Sequence, residues 1–135
     1  MQYNSYQLAK IIGVNVSTIK RWTESGKLNC SKTVGGHRKF NLNDISNFLN
    51  TYKKNQSNID LIKIVGKNKK LIDSINTFDE TFLTKYFYKN LVEGKSDNFL
   101  ALNNALILKN ISLQNIFDKL LIPVLDRIGK NWEKG

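Results

Sequence analysis

One cysteine, one proline and one histidine are all that 135 residues hold of three residue types around which small domains are often organised. Cys30 alone can build neither a disulfide framework nor a cysteine-based zinc cluster, and a cytoplasmic compartment is the natural expectation. His37 has no cysteine or second histidine near it in the chain, so no metal site is expected. No uninterrupted apolar stretch approaches the length of a membrane span. The first residues (Gln2, Asn4, Ser5, Gln7) are polar rather than charged and then apolar, so neither a signal peptide nor a membrane partner is expected. Acidic side chains are also scarce. There are 11 against 21 Lys and Arg, a net charge of +10. That balance favours a polyanionic partner, and the excess is densest early: residues 1–50 carry seven Lys and Arg against Glu24 and Asp44 alone.

What is present begins with two short helices. Ser5 is a candidate cap for a helix through Ile12, with Leu8, Ile11 and Ile12 inward, and Gly13 ends it in a tight turn. Asn15 is a candidate cap for a second helix, in which Val16, Ile19 and Trp22 repeat along one side. Ser17, Lys20, Arg21 and Glu24 fall at i, i+3, i+4 and i+7, one outward polar stripe. Gly26 stops the helix. Gly35-Gly36 then suits the turn of a small basic hairpin ending in His37, Arg38, Lys39 and Phe40. Asn41 caps a third helix with Asp44 in its first turn and Ile45, Phe48 and Leu49 inward. These elements define a unit of residues 1–50, followed by a polar linker over residues 51–58.

From residue 59 the pattern is helical throughout. The spacing gives a helix over Ile59 to Ile75, one capped from Thr77 and ending at Gly94, one from Ser96 to Asn110, and a last from Ser112 onward. In the last, Leu113, Ile116, Phe117, Leu120, Leu121, Val124 and Ile128 form one wide apolar stripe, and Pro123 should kink the helix without ending it. The expected fold is all-α with a small β wing: a winged helix-turn-helix domain followed by a four-helix bundle over residues 59–135. Asp73, Asp79, Glu80, Glu93, Asp97, Asp118, Asp126 and Glu133 fall mostly at caps and exposed faces. No carboxylate pair, nucleophile with base, or phosphate loop emerges, so no enzyme is expected.

Helix, tight turn, helix and basic wing is an arrangement for reading duplex DNA, the second helix in the major groove and the wing along the backbone. Ser17 and Thr18 at the helix start, with Lys20, Arg21, His37, Arg38 and Lys39, are the candidate DNA-binding residues. Arg21 could read guanine with both arms of its guanidinium. Each feature alone could be a solvated face or an ordinary turn; their order and spacing favour the set. Trp22 reads as core.

Residues 3–49 resemble the DNA-binding domain of the MerR family, in a form shared with excisionase-like regulators. The resemblance rests on Leu8-Ala9, on Gly13 to Trp22, on Gly26-Lys27-Leu28 and on Gly35-Gly36-His37-Arg38-Lys39-Phe40. It implies a homo-oligomer, a dimer on a two-fold DNA site, although the long dimerisation helix of typical members is not visible. Residues 91–135 are similar to the helical cap that precedes a cobalamin-binding domain. Leu91-Val92-Glu93-Gly94-Lys95, Ala105, Ile111 to Asp118 and Pro123 to Gly135 carry that likeness, and the closing Ile-Gly-x-x-Trp-x-x-Gly is its most specific part. In that family the tryptophan covers the upper face of the corrinoid, a role that would fall to Trp132.

The two halves together resemble the N-terminal part of MerR-type repressors of the CarA, CarH and LitR group, some of which sense light through cobalamin. The resemblance implies a repressor. A separate reading makes the second half a protein-interaction module only, its bundle binding an antirepressor or a neighbouring subunit. The sequence stops before that group's Glu-His pair and its Asp-x-His-x-x-Gly lower-ligand motif. The chain as it stands is therefore expected to carry no cofactor by itself, cobalamin belonging to a longer protein. The competing expectation is an excisionase-like DNA-bending factor with a protein-interaction bundle.

Overall fold

A computed structural model describes residues 2–52 and 59–133. The linker expected at 51–58 lies mostly outside the described residues; Thr51, its first residue, belongs instead to a helix. The described residues form two compact units, one of residues 2–52 and 59–63 with Leu108–Asn110, the other of residues 64–107 and 111–133.

The first unit runs β1 (Gln2–Asn4), α1 (Ser5–Ile12), α2 (Val16–Glu24), β2 (Ser31–Lys32), β3 (Arg38–Asn41) and α3 (Leu42–Thr51). Asn4, not Ser5, caps α1. Its side chain accepts from the Gln7 amide at 2.7 Å, while the Gln7 side chain accepts from the Asn4 amide at 2.9 Å. Both residues are good caps in isolation, but only from Asn4 does a glutamine stand at the third helical position to close the box. Gly13 then takes φ +81, the left-handed geometry that lets α2 start only three residues later.

The strand β1 was not expected from the sequence. It pairs antiparallel with β3, Tyr3 opposite Phe40, and β3 pairs on its other edge with β2, giving the order β1-β3-β2. Phe40 is completely buried, with β3 packed against both α1 and α3. Around it the core gathers Leu8, Ile11, Ile12, Ile19, Leu28, Ile45, Phe48 and Leu49. Asn41 caps α3 as expected, its side chain accepting from the Asp44 amide at 2.7 Å. Ile59 and Leu61 are also buried, and the Asp60 amide donates to the Ile11 carbonyl at 2.7 Å.

The second unit holds α5 (Lys69–Thr77), α6 (Glu80–Val92), all of α7 (Ser96–Leu108) but its last residue, and a last helical run of α8 (Leu113–Ile116), a π turn (Phe117–Leu121) and α9 (Ile122–Glu133). The helix expected over Ile59 to Ile75 is broken: α4 (Ile62–Val65) is a single turn, and α5 begins afresh with Asn68 as its cap. Thr77 does not start α6 but ends α5. Phe78 adopts the left-handed conformation, and Asp79 caps α6 by accepting from the Phe82 amide at 3.2 Å. The core face of α6 is Leu83, Phe87 and Asn90, with the Phe87 and Phe99 rings 4.7 Å apart. It packs against α5, the π turn and α9.

Pro123 perturbs the last helix just upstream of itself. Its ring would crowd the carbonyl four residues back, and it has no N–H to donate. The chain widens into the π turn instead, the Ile122 amide donating to Phe117 five residues back. The wide apolar stripe expected here is divided. Ile116, Leu120 and Val124 are buried, whereas Leu113 is 69% exposed and Phe117 faces solvent. Hydrophobic spacing had merged two faces into one.

Candidate functional site

In α2 the structure brings Ser17, Lys20, Arg21 and Glu24 onto one exposed face, with Ile19 fully buried opposite them. Val16 is 41% exposed, so the inward side of this helix is narrower than the sequence suggests. Thr18 is half-buried and its amide is engaged with the Asn15 carbonyl at 3.0 Å. Asn15 has cap geometry but makes no side-chain cap bond, which leaves the helix start without a side-chain acceptor. Trp22 packs its ring 4.7 Å from Phe48, in agreement with a core role.

The wing turn is a five-residue loop closed at both ends. The Thr33 amide donates to the His37 carbonyl at 2.9 Å, the Gly36 amide to the Thr33 carbonyl at 2.9 Å, and the His37 amide to the Thr33 hydroxyl at 3.2 Å. Gly36 has φ +83, which a side chain would strain. His37 is exposed at the end of this loop; Arg38 and Lys39, half-buried, start β3.

Helix and wing are tied together by charge. The Arg38 Nη2 lies 3.9 Å from the Glu24 carboxylate, and its Nε is buried with no partner among the described residues. Sequence spacing did not reveal this pair, because 14 positions and a turn separate its members. The structure thus gives Arg38 a positioning role in the wing. With the Glu24 side chain 58% exposed and the two charges 3.9 Å apart, the pair contributes about 0–1 kcal/mol, so it can open for a phosphate. Glu24→Ala is expected to tighten DNA binding and to steepen the dependence of log K on log salt by about 0.9, one extra phosphate contact. An unchanged slope in salt-titrated binding would leave Arg38 as a strut only.

Exposed Tyr6 and Lys10 on α1 were also missed. The Lys10 Nζ stands 4.3 Å from the Tyr6 ring centroid, and its hydrogen bond and charge hold the Tyr6 hydroxyl below its usual range.

The second unit has a separate surface. Trp132 is 83% exposed and, with Tyr88, Val92, Ile128 and Asn131, lines a shallow concavity of about 550 Å³. Asn131 donates to the Tyr88 hydroxyl, so the two polar groups there satisfy each other. Arg127 lies over the Tyr88 ring at 4.1 Å. The sequence named Trp132 but not its neighbours, although Tyr88 with Val92 and Ile128 with Trp132 are i, i+4 pairs.

Residues 3–65 match the family of the MerR HTH family regulatory protein. The first unit is a MerR-type helix-turn-helix domain. Residues 83–135 match the B12 binding domain, the region that carries Trp132 and its concavity. A MerR-type helix-turn-helix domain is thus followed along the chain by a region that matches the B12 binding domain. No curated protein and no solved structure matches the chain. No helix among the described residues is long and apolar enough to cross a membrane, and no group of three or more metal-ligating side chains occurs among them.

Proposed function

We propose that the chain is a sequence-specific transcriptional repressor that acts by binding duplex DNA as a homo-oligomer in the cytoplasm, without catalysis. The observation that carries this is the exposed Ser17, Lys20 and Arg21 face of α2, tied through Glu24 to a basic, glycine-turned wing. Footprinting on the promoter regions nearest its coding sequence tests the reading. Protection of a two-fold operator supports it; protection of a recombination attachment site instead would sink it in favour of a DNA-bending factor.

We also propose that the second unit is a cap for cobalamin, through which cobalamin or light would act on DNA binding. The residues present fit one side of such a group. A flat, largely apolar ring face is matched by an exposed indole beside Val92 and Ile128, and none of the described residues that line the concavity is charged. Bound cobalamin would supply light- or ligand-sensitive chemistry. This chain's part is to cover that side and exclude water, Trp132 providing the cover. His37, the only histidine of the sequence, stands in the wing of the first unit. Aquocobalamin added to the chain is accordingly expected to keep its own lower base, its absorption spectrum unchanged apart from weak quenching of Trp132 fluorescence, which Trp132→Phe abolishes. A tight complex with the base-off spectrum would refute this division of labour.

A further inference from the structure

A groove of about 710 Å³ runs along α6, on residues none of which belongs to the surface around Trp132. It is of the size that small-molecule sites occupy. Its lining combines Lys70, Lys85, Lys89 and Lys95 with the rings of Phe82 and Tyr86. Two carboxylates also reach it, and both are already committed. Asp79 caps α6, and Glu93 pairs with Lys95 at 3.3 Å. Lys70 is held over the Phe82 ring at 5.4 Å. Lys85 and Lys89 are left with no ion pair among the described residues.

Those two lysines stand at i and i+4 on one helix face, an arrangement that costs a few tenths of a kcal/mol in like-charge repulsion. An anion between them removes that cost. Beside them the Phe82 and Tyr86 rings are nearly parallel, 6.5 Å between centroids, and both are half-buried, so they present a fixed aromatic wall. The floor is fixed as well. Asn90, buried, donates to the Tyr86 carbonyl at 2.8 Å and accepts from the Asn98 amide group at 3.0 Å. Burial pushes the Tyr86 hydroxyl up from its usual range against the opposing charge of Lys95, which keeps it a proton donor.

We propose that this groove binds a phosphorylated ligand bearing a flat ring, a mononucleotide being the class that fits: Lys85 and Lys89 take the phosphate while Phe82 and Tyr86 carry the base. Neither component suffices alone, because a lysine pair without a wall is a solvated surface and a wall without charge has no hold on an anion.

The test is a titration of the whole chain with AMP, adenosine and inorganic phosphate, followed by amide chemical shifts. AMP is expected to bind saturably, with shifts confined to α6 and to residues 68–70 and 95–98, and more tightly than either adenosine or phosphate. The double variant Lys85→Ala/Lys89→Ala should lose about tenfold or more in AMP affinity with its helical circular dichroism unchanged. Tyr86→Leu should weaken AMP and leave phosphate as it was. Absence of saturable shifts, equal affinity for AMP and phosphate, or undiminished AMP binding by the double variant would each overturn the proposal. So would a duplex oligonucleotide that shifts these residues where AMP does not.

Discussion

Phe40→Ala is expected to destabilise the first unit by about 3–5 kcal/mol, the range for deleting a fully buried aromatic side chain. The ring has no exposed surface and sits on the strand that holds both β1 and β2. That strand is also the one α1 and α3 pack against, so the cavity left by the ring cannot be filled by moving one neighbour alone. Small domains have only about 5–15 kcal/mol to lose, so a large part of the population would unfold near body temperature. Trp22, whose ring lies against Phe48 in the same core, reports the transition by fluorescence in urea. DNA binding should fall on every sequence alike, because what is lost is the folded reader and no single contact. A midpoint within experimental error of the parent would mean that the core is organised elsewhere.

Arg21→Ala is expected to cost about 1–3 kcal/mol on the operator and to relax preference at one base pair, as for a side chain that reads a base edge with two hydrogen bonds. Arg21 is exposed in the middle of the polar face of α2, and none of its charge is spent on an ion pair among the described residues. Lys20 beside it is a point charge without a fork, so Lys20→Ala should lower affinity evenly over sequences and flatten the salt dependence. The two variants differ in kind, and that difference is the useful measurement. Competition binding against a panel of single-base operator variants separates them. Uniform loss for Arg21→Ala on all members of the panel would make it a backbone contact.

Local chemistry made some parts of this chain readable in advance and hid others for physical reasons. Gly13 and the Gly35-Gly36 turn fix where chain direction changes, and the apolar spacing of Leu8, Ile11, Ile12 and of Ile45, Phe48, Leu49 marks inward faces that the structure keeps. The strand β1 was hidden because Gln2, Tyr3 and Asn4 are too few to alternate; they are extended only through pairing with β3, far along the chain. Leu113 and Phe117 were misassigned because a list of apolar positions does not say how many faces they occupy. Glu24 and Arg38 could each be named from the sequence, but their pairing is a property of the folded wing. For Trp132 the resemblance named the indole, but its neighbours Tyr88 and Val92 come from another helix and only the fold brings them beside it.

The π turn before Pro123 also sets a phase. One residue advances an α-helix by about 100°, and the turn accommodates one more residue than a regular turn would between the anchored stripe of Ile116 and Leu120 and everything downstream. A chain shortened by a single residue within Phe117–Leu121 would run as plain α-helix with the direction of everything downstream little changed, because the wide turn absorbs that residue. The same residue added to a regular helix would swing Trp132 around by about 100°. One irregular turn therefore lets this helix carry an extra residue while its indole keeps its heading.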